Sequence, residues 1–150
     1  MAIAVGDQAP DFELPSSHGG TVRLRDLRGQ AVVVFFYPKD DTPGCTTEAC
    51  EFRDNLARFQ TLGAAVLGIS GDNLESHQRF AAKHNLTFPL LADVGNGVRK
   101  RFGAPSAMFL PGRVTYVIDG EGVVRLVFNA LFNAKAHVQE ARTCLEQLAP

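Results

Sequence analysis

The chain of 150 residues carries fifteen Lys and Arg against sixteen Asp and Glu, a net charge of -1, with 45% hydrophobic and 21% charged residues. That length sets one globular domain, residues 1–150, with a core that needs no disulfide staples. The charge balance leaves no basic footprint for nucleic acid and no electrostatic adhesion to an anionic membrane.

The longest strongly apolar run, residues 31–37, is far short of the roughly 20 residues that cross a bilayer. The start, Met1 to Asp7, has no basic n-region. A cytoplasmic address is therefore expected. Three cysteines are an odd and small number for a disulfide scaffold and fit a reducing compartment.

The first thirty residues are rich in turn signals, among them Ala9-Pro10, Leu14-Pro15 and Ser16-Ser17-His18-Gly19-Gly20. A short strand near 21–24 is expected to pair with the region 12–14. Residues 31–37 and 64–70 are continuous β-branched, aromatic and aliphatic runs, the pattern of strands buried on both faces. Residues 43 to about 62 between them read as one helix, completing a βαβ unit. A second helix follows over 73–84, a short strand over 88–91 and a short helix over 94–101. Strands over 113–119 and 123–130 flank Asp119-Gly120-Glu121-Gly122, a hairpin turn. A last helix spans 135–148, with Val138, Ala141, Leu145 and Leu148 on one stripe. This order predicts an α/β fold, a central mixed sheet flanked by helices with an N-terminal β extension. A thioredoxin-like sandwich has this order, and other α/β arrangements share it.

The chemistry sits in Tyr37-Pro38-Lys39-Asp40-Asp41-Thr42-Pro43-Gly44-Cys45-Thr46-Thr47-Glu48-Ala49-Cys50. This segment joins a buried strand to a helix, where open α/β sheets hold ligands. Thr42-Pro43 is a helix start, with a hydroxyl at the N-cap and Pro at N1. Cys45 then falls in the first turn, beside unpaired backbone N–H groups and the positive end of the helix dipole. Both favour thiolate, whereas Asp40 and Asp41 oppose it and Lys39 partly offsets them.

At 100° per residue, Cys45, Ala49, Phe52, Leu56 and Phe59 fall on one line, the buried stripe. Cys45 therefore points inward. Glu48 lies about 60° to one side and Cys50 about 140° away. On an intact helix the two cysteine Cα atoms stand roughly 8.6 Å apart, and a disulfide needs about 4.4–6.8 Å. A bond between them requires the first turns to unwind. Gly44, Thr46 and Thr47 are poor helix formers, so that cost is low.

Pro38-x-x-x-Thr42-x-x-Cys45 resembles the signature of the peroxiredoxins, and a second cysteine five residues on resembles the bacterioferritin comigratory protein (PrxQ) subfamily. Gly6-Asp7-x-Ala9-Pro10-Asp11-Phe12, Gly71-Asp72 and Arg113-Val-Thr-Tyr-Val-Ile-Asp119 extend the resemblance over nearly the whole chain. It implies a thioredoxin-like fold and an atypical 2-Cys peroxidase acting on hydrogen peroxide and organic hydroperoxides. Cys45 would be the peroxidatic nucleophile and become a sulfenic acid. Cys50 would resolve it as an intramolecular disulfide. Thr42, Gly44 and Arg113 would bind and orient the peroxide, Pro38 would shield it from water, and Glu48 would hold Arg113. Thioredoxin or a similar dithiol would reset the pair, with no cofactor and no metal. A monomer is expected, with an A-type dimer left open.

Blander readings exist for each residue. A lone core cysteine is usually a small hydrophobe. Thr42 could be only a cap, Pro38 a strand terminator, Arg113 a solvated strand end, and Glu48 a complement to the dipole. Cys144 has no role and sits at a boundary. His18, His77, His84 and His137 show no metal-type pairing with cysteines and read as surface residues. Residues 102–111, with Phe102, Met108 and Phe109, depart most from the family pattern. A general thiol–disulfide oxidoreductase is the competing enzyme, but it normally uses Cys-x-x-Cys, absent here. A zinc module or a redox sensor is the non-enzymatic alternative.

Overall fold

A computed structural model describes residues 2–104, 106–107, 110–131 and 133–148. Its organising element is β3 (Ala31–Phe36), whose run of Val and Phe leaves five of six residues buried. A strand so apolar on both faces must lie mid-sheet with a layer on each side. It does. β3 pairs in parallel with β4 (Ala64–Ser70) and antiparallel with β8 (Val114–Ile118). β5 (Leu90–Ala92) and β9 (Val124–Asn129) flank these, giving the order β5-β4-β3-β8-β9. The alternating side chains of β3 feed two cores. Val33 and Phe35 pack with Cys45, Phe52, Phe59, Phe80 and Leu145 on one face. Val32, Val34 and Phe36 pack with Phe12, Leu91, Phe102 and Tyr116 on the other.

The N-terminal extension is the expected hairpin, β1 (Glu13–Pro15) against β2 (Thr21–Arg23), followed by a 3-10 turn over Leu24–Leu27. β6 (Ser106–Ala107) and β7 (Leu110–Pro111) pair antiparallel as a two-stranded ribbon. Phe102 is fully buried in the second core. Met108 and Phe109 lie outside the described residues.

Several boundaries differ from the sequence reading. The helix expected over 43–62 is two helices, α1 (Pro43–Asp54) and α2 (Leu56–Thr61). Asn55 breaks it: its backbone sits at φ -103°, ψ 4°, and its side-chain amide donates to the Glu51 carbonyl at 2.8 Å. An Asn side chain that competes for a helix carbonyl interrupts the ladder there. α3 (Leu74–Lys83) starts as expected, with the Asn73 side chain accepting from the Ser76 N–H. α4 (Gly97–Phe102) starts three residues later than expected. Asn96 is left-handed, and the Asp93 carboxylate reaches past it to cap the Val98 and Arg99 N–H groups at 3.0 Å each. On α5 (Ala134–Leu148) the stripe Val138, Ala141 and Leu145 is buried, but Leu148 at its end is 41% exposed.

His77 and His137 were expected at the surface and are completely buried. Each finds oxygen partners for both ring nitrogens inside the protein. A sequence shows a histidine's polarity but not the partners that let it be buried.

Candidate active site

The loop from β3 to α1 is fixed from behind before it presents anything. Tyr37, the residue after β3, donates its hydroxyl to Asp40 at 2.6 Å. Asp40 also faces His77 Nδ1 at 2.7 Å and accepts from the Ser76 hydroxyl at 2.8 Å, both on α3. His77 Nε2 faces the Leu91 carbonyl at 2.9 Å. The Asp40 N–H donates to Asp72, which the Ser70 hydroxyl also reaches at 2.6 Å. Burial, reinforced by Asp40, holds the Tyr37 phenol well above its ordinary pKa, so it stays a donor. Asp40, Asp72 and His77 cluster closely enough to suggest a metal site, but they are already linked to one another and to neighbouring hydroxyls. Asp41 continues the tether with a left-handed backbone and an ion pair to Lys83 at 3.0 Å. That hydrogen bond lowers the pKa of its exposed carboxyl.

Thr42 takes the N-cap position with extended backbone and Pro43 follows at the helix start, as the sequence indicated. The cap differs in one respect. The Thr42 hydroxyl accepts nothing from the helix; it donates backward to the Lys39 carbonyl at 2.9 Å. Pro38 is half-buried just upstream.

Cys45 is 2% exposed, pointing into the core as the helix stripe required. Its Sγ accepts from Arg113 Nη2 at 3.5 Å. Arg113, just ahead of β8, is 4% exposed and held on three sides. Nη1 donates to Glu48 Oε1 at 2.6 Å and Nε to the Leu131 carbonyl at 3.0 Å. Burial lowers the Arg113 pKa, but Glu48 and then Cys45 outweigh it and the net shift is upward. The guanidinium is therefore a permanent cation at the sulfur. Arg99 donates to the Gly112 carbonyl at 2.8 Å, bracing the backbone before Arg113, and lies over the Phe36 ring at 5.4 Å.

Glu48 is fully buried rather than a solvated first-turn acid. Burial raises its pKa to about 7 against the opposing pull of Arg113. Its second oxygen, Oε2, has no hydrogen-bond partner among the described residues and lies 3.6 Å from His137 Nδ1. Sequence reading missed His137 and Thr115 behind Glu48, and the Asp40–His77 tether. Lone histidines on apolar helices carry no spacing signal that could have found them.

The structure thus brings Cys45, Gly44, Glu48 and Arg113 into contact, with Thr42 and Pro38 on the entering loop. It does not bring Cys50 to Cys45. Both are free thiols, Cys50 is partly exposed, and α1 runs unbroken through both. Cys144 is partly buried, the boundary position expected. A hollow of about 710 Å³ lined by Gly29, Gly63, Asp119 and Arg125 lies at the other end of β3 and contains none of these residues.

Comparison with known proteins agrees with this geometry. The AhpC/TSA family model matches residues 5–127. Chloroplastic peroxiredoxin Q of Sedum lineare is 49% identical over 97% of this chain and 80% of its own length. That of Populus jackii is 48% identical over 95% and 68%. The crystal structure of peroxidoxin BcpB from Mycobacterium tuberculosis superposes with a TM-score of 0.90 at 37% identity, covering 97% of this chain and 98% of that one. The chloroplastic relatives overturn the cytoplasmic address expected from the sequence. A reducing environment is all that three free thiols indicate, and more than one compartment supplies it. Buried thiol, buried arginine, sheet order and relatives converge: the chain belongs to the AhpC/TSA family, as a thioredoxin-fold peroxiredoxin of the peroxiredoxin Q type.

Proposed function

We propose that this thiol-dependent peroxidase works through Cys45 as the attacking sulfur and Cys50 as the resolving one. The observation that carries the reading is a buried Cys45 Sγ 3.5 Å from an arginine that Glu48 fixes in place. The Cys45 thiolate attacks the terminal oxygen of hydrogen peroxide or an organic hydroperoxide. An S–O bond forms, the O–O bond breaks, and the departing oxygen takes a proton to leave as water or alcohol. Charge moves from sulfur onto that oxygen, and Arg113 with the first-turn N–H groups of Gly44 and Cys45 meets it there. The Thr42 proton is committed to Lys39, so Thr42 Oγ1 serves as an acceptor for the hydroperoxide O–H. Pro38 screens the entrance from water.

Attack by the Cys50 thiolate on the Cys45 sulfenic acid then forms the S–S bond and breaks the S–O bond, the hydroxide taking a proton to leave as water, after α1 opens at its start. A dithiol of the thioredoxin type supplies two electrons and two protons to return both thiols. The chain acts as one domain and as a monomer, without metal or cofactor.

The test is a pair of variants. Cys45→Ser abolishes turnover. Cys50→Ser consumes one equivalent of peroxide and stops with a sulfenic acid on Cys45, seen by mass spectrometry. Full thioredoxin-dependent turnover in Cys50→Ser would remove Cys50 from the resolving role. Robust disulfide reductase activity without peroxide turnover would favour a general thiol–disulfide oxidoreductase.

A further inference from the structure

Behind Arg113 lies a buried acid whose outer oxygen meets no donor among the described residues. Glu48 Oε1 takes Nη1 of Arg113, but Oε2 is buried and unpartnered. His137 Nδ1 on α5 stands 3.6 Å from it. The protons around His137 can be placed from its partners. Nε2 lies 2.6 Å from the Ala130 carbonyl, an obligate acceptor, so Nε2 carries hydrogen. Nδ1 lies 2.8 Å from the Thr115 hydroxyl. A neutral ring then accepts from Thr115 at Nδ1, and neither nitrogen has a hydrogen left for Glu48.

The other neighbours do not supply one. Phe128 on β9 packs edge-on against the imidazole, with centroids 4.8 Å apart. Arg113 at the head of β8 is engaged by Oε1, Leu131 and Cys45. Cys45 Sγ on α1 is an acceptor and takes Nη2 of Arg113. A buried carboxylate oxygen without a donor is costly, and a proton on that oxygen removes the cost.

We propose that His137 is a positioning residue that keeps donors and water from Glu48 Oε2, so that Glu48 carries a proton in the working enzyme and the charge of Arg113 is left to Cys45 and the peroxide. The inference rests on the peroxidase reading for its consequence, but not for the protonation itself. The two acids of this cluster fit it: burial lifts Glu48 to about 7 and depresses His137 to about 4, with Arg113 adding to the latter. Ionised, Glu48 would neutralise the guanidinium at a distance of 2.6 Å. Protonated, it still accepts the Nη1 hydrogen bond through Oε1 and keeps Arg113 in place.

The test reads the carboxyl directly. Infrared difference spectra of the reduced protein against Glu48→Gln should show a protonated-carboxyl band at pH 6 that fades as the pH passes 7. His137→Asn sets an amide N–H beside Oε2, and the band should fade about one pH unit lower, a tenfold change in proton affinity. The falling alkaline limb of the peroxide rate should move with it. A wild-type protein with no such band at pH 6, or a His137→Asn band that titrates as in wild type, overturns the proposal. The wild-type spectrum decides even if His137→Asn does not fold. If the protein failed to react with peroxide while the band behaved as expected, the peroxidase reading would fall and the protonation would stand.

Discussion

A Cβ placed on Gly44 would stand 2.9 Å from Nη2 of Arg113, closer than real Cβ contacts come. Gly44 has ordinary helical backbone, so its missing side chain serves the approach of the arginine and not a turn. Arginine tips usually give way, but this one is held by Glu48 and Leu131. Gly44→Ala should therefore separate stability from activity. Alanine adds about 0.5–1 kcal/mol of helix preference, offset by strain on the Glu48–Arg113 contact, and the melting temperature should move by only a few degrees. Displacing the guanidinium should slow the reaction of Cys45 with peroxide by about 10- to 100-fold. Stopped-flow rates beside thermal melts decide; an unchanged rate means that Nη2 is not needed at the sulfur.

Arg113 reaches two partners at once, Glu48 through Nη1 and Cys45 through Nη2. A lysine carries the same charge on one ammonium and cannot span both with the fork geometry. Arg113→Lys should keep the fold and lose on the order of 10²-fold in peroxide rate, close to the loss of one oriented donor at a transition state. Recovery of most of the rate in the lysine variant would show that charge alone suffices.

Much of this was legible in the sequence, for a physical reason. The stripe Cys45, Ala49 and Phe52 on α1 continues as Leu56 and Phe59 on α2, and all five are buried. β3 and β4 announced themselves as runs too apolar for any place but mid-sheet. What stayed hidden depends on contacts between distant residues. His77 meets Asp40 across 37 positions, and His137 meets Thr115 across 22. No local pattern encodes either meeting. The break at Asn55 was also missed, because the apolar period continues through it while the backbone leaves helical geometry at a residue whose side chain turns back to the Glu51 carbonyl. Thr42 was recognised at its position, yet the direction of its hydrogen bond depends on the fold of the loop behind it.

The Asn55 break also bounds the change that oxidation brings. Linking Cys45 to Cys50 shortens a separation of roughly 8.6 Å to disulfide range, and the first turns of α1 must open. α2 starts afresh beyond Asn55 and anchors itself through buried Leu56 and Phe59. Hydrogen exchange should accelerate over 43–51 in the disulfide form and stay unchanged over 56–61. Protection retained across 43–51 after oxidation would contradict the distance argument.

His77 closes the tether on the loop that leads to Thr42, facing Asp40 and Leu91 from a fully buried position. Removing one partner of a buried hydrogen bond leaves the other polar group unsatisfied, at a cost of about 1–3 kcal/mol. His77→Ala should lose stability on that scale in urea unfolding, and the peroxide rate should fall as the loop loosens. A loss below 1 kcal/mol would mean that Tyr37 and Ser76 alone hold Asp40.

Glu48 and His137 push the pH dependence of stability in opposite directions. Glu48 is raised from 4.5 to about 7, so between those values the folded state binds the extra proton and stability falls as pH rises. His137 is lowered from 6.5 to about 4, so between those values the unfolded state binds the extra proton and stability rises with pH. Across the shared window, pH 4.5 to 6.5, the two slopes cancel: folding moves one proton from His137 to Glu48 without net uptake. Glu48→Gln removes one side of this balance. Its stability, relative to wild type at each pH, should climb by about 1.4 kcal/mol per pH unit across that window. Urea unfolding of both reduced proteins at pH 5 and 6 measures the difference. Parallel profiles would show that Glu48 gains no proton on folding, and the charge at Arg113 would then have to be reassigned.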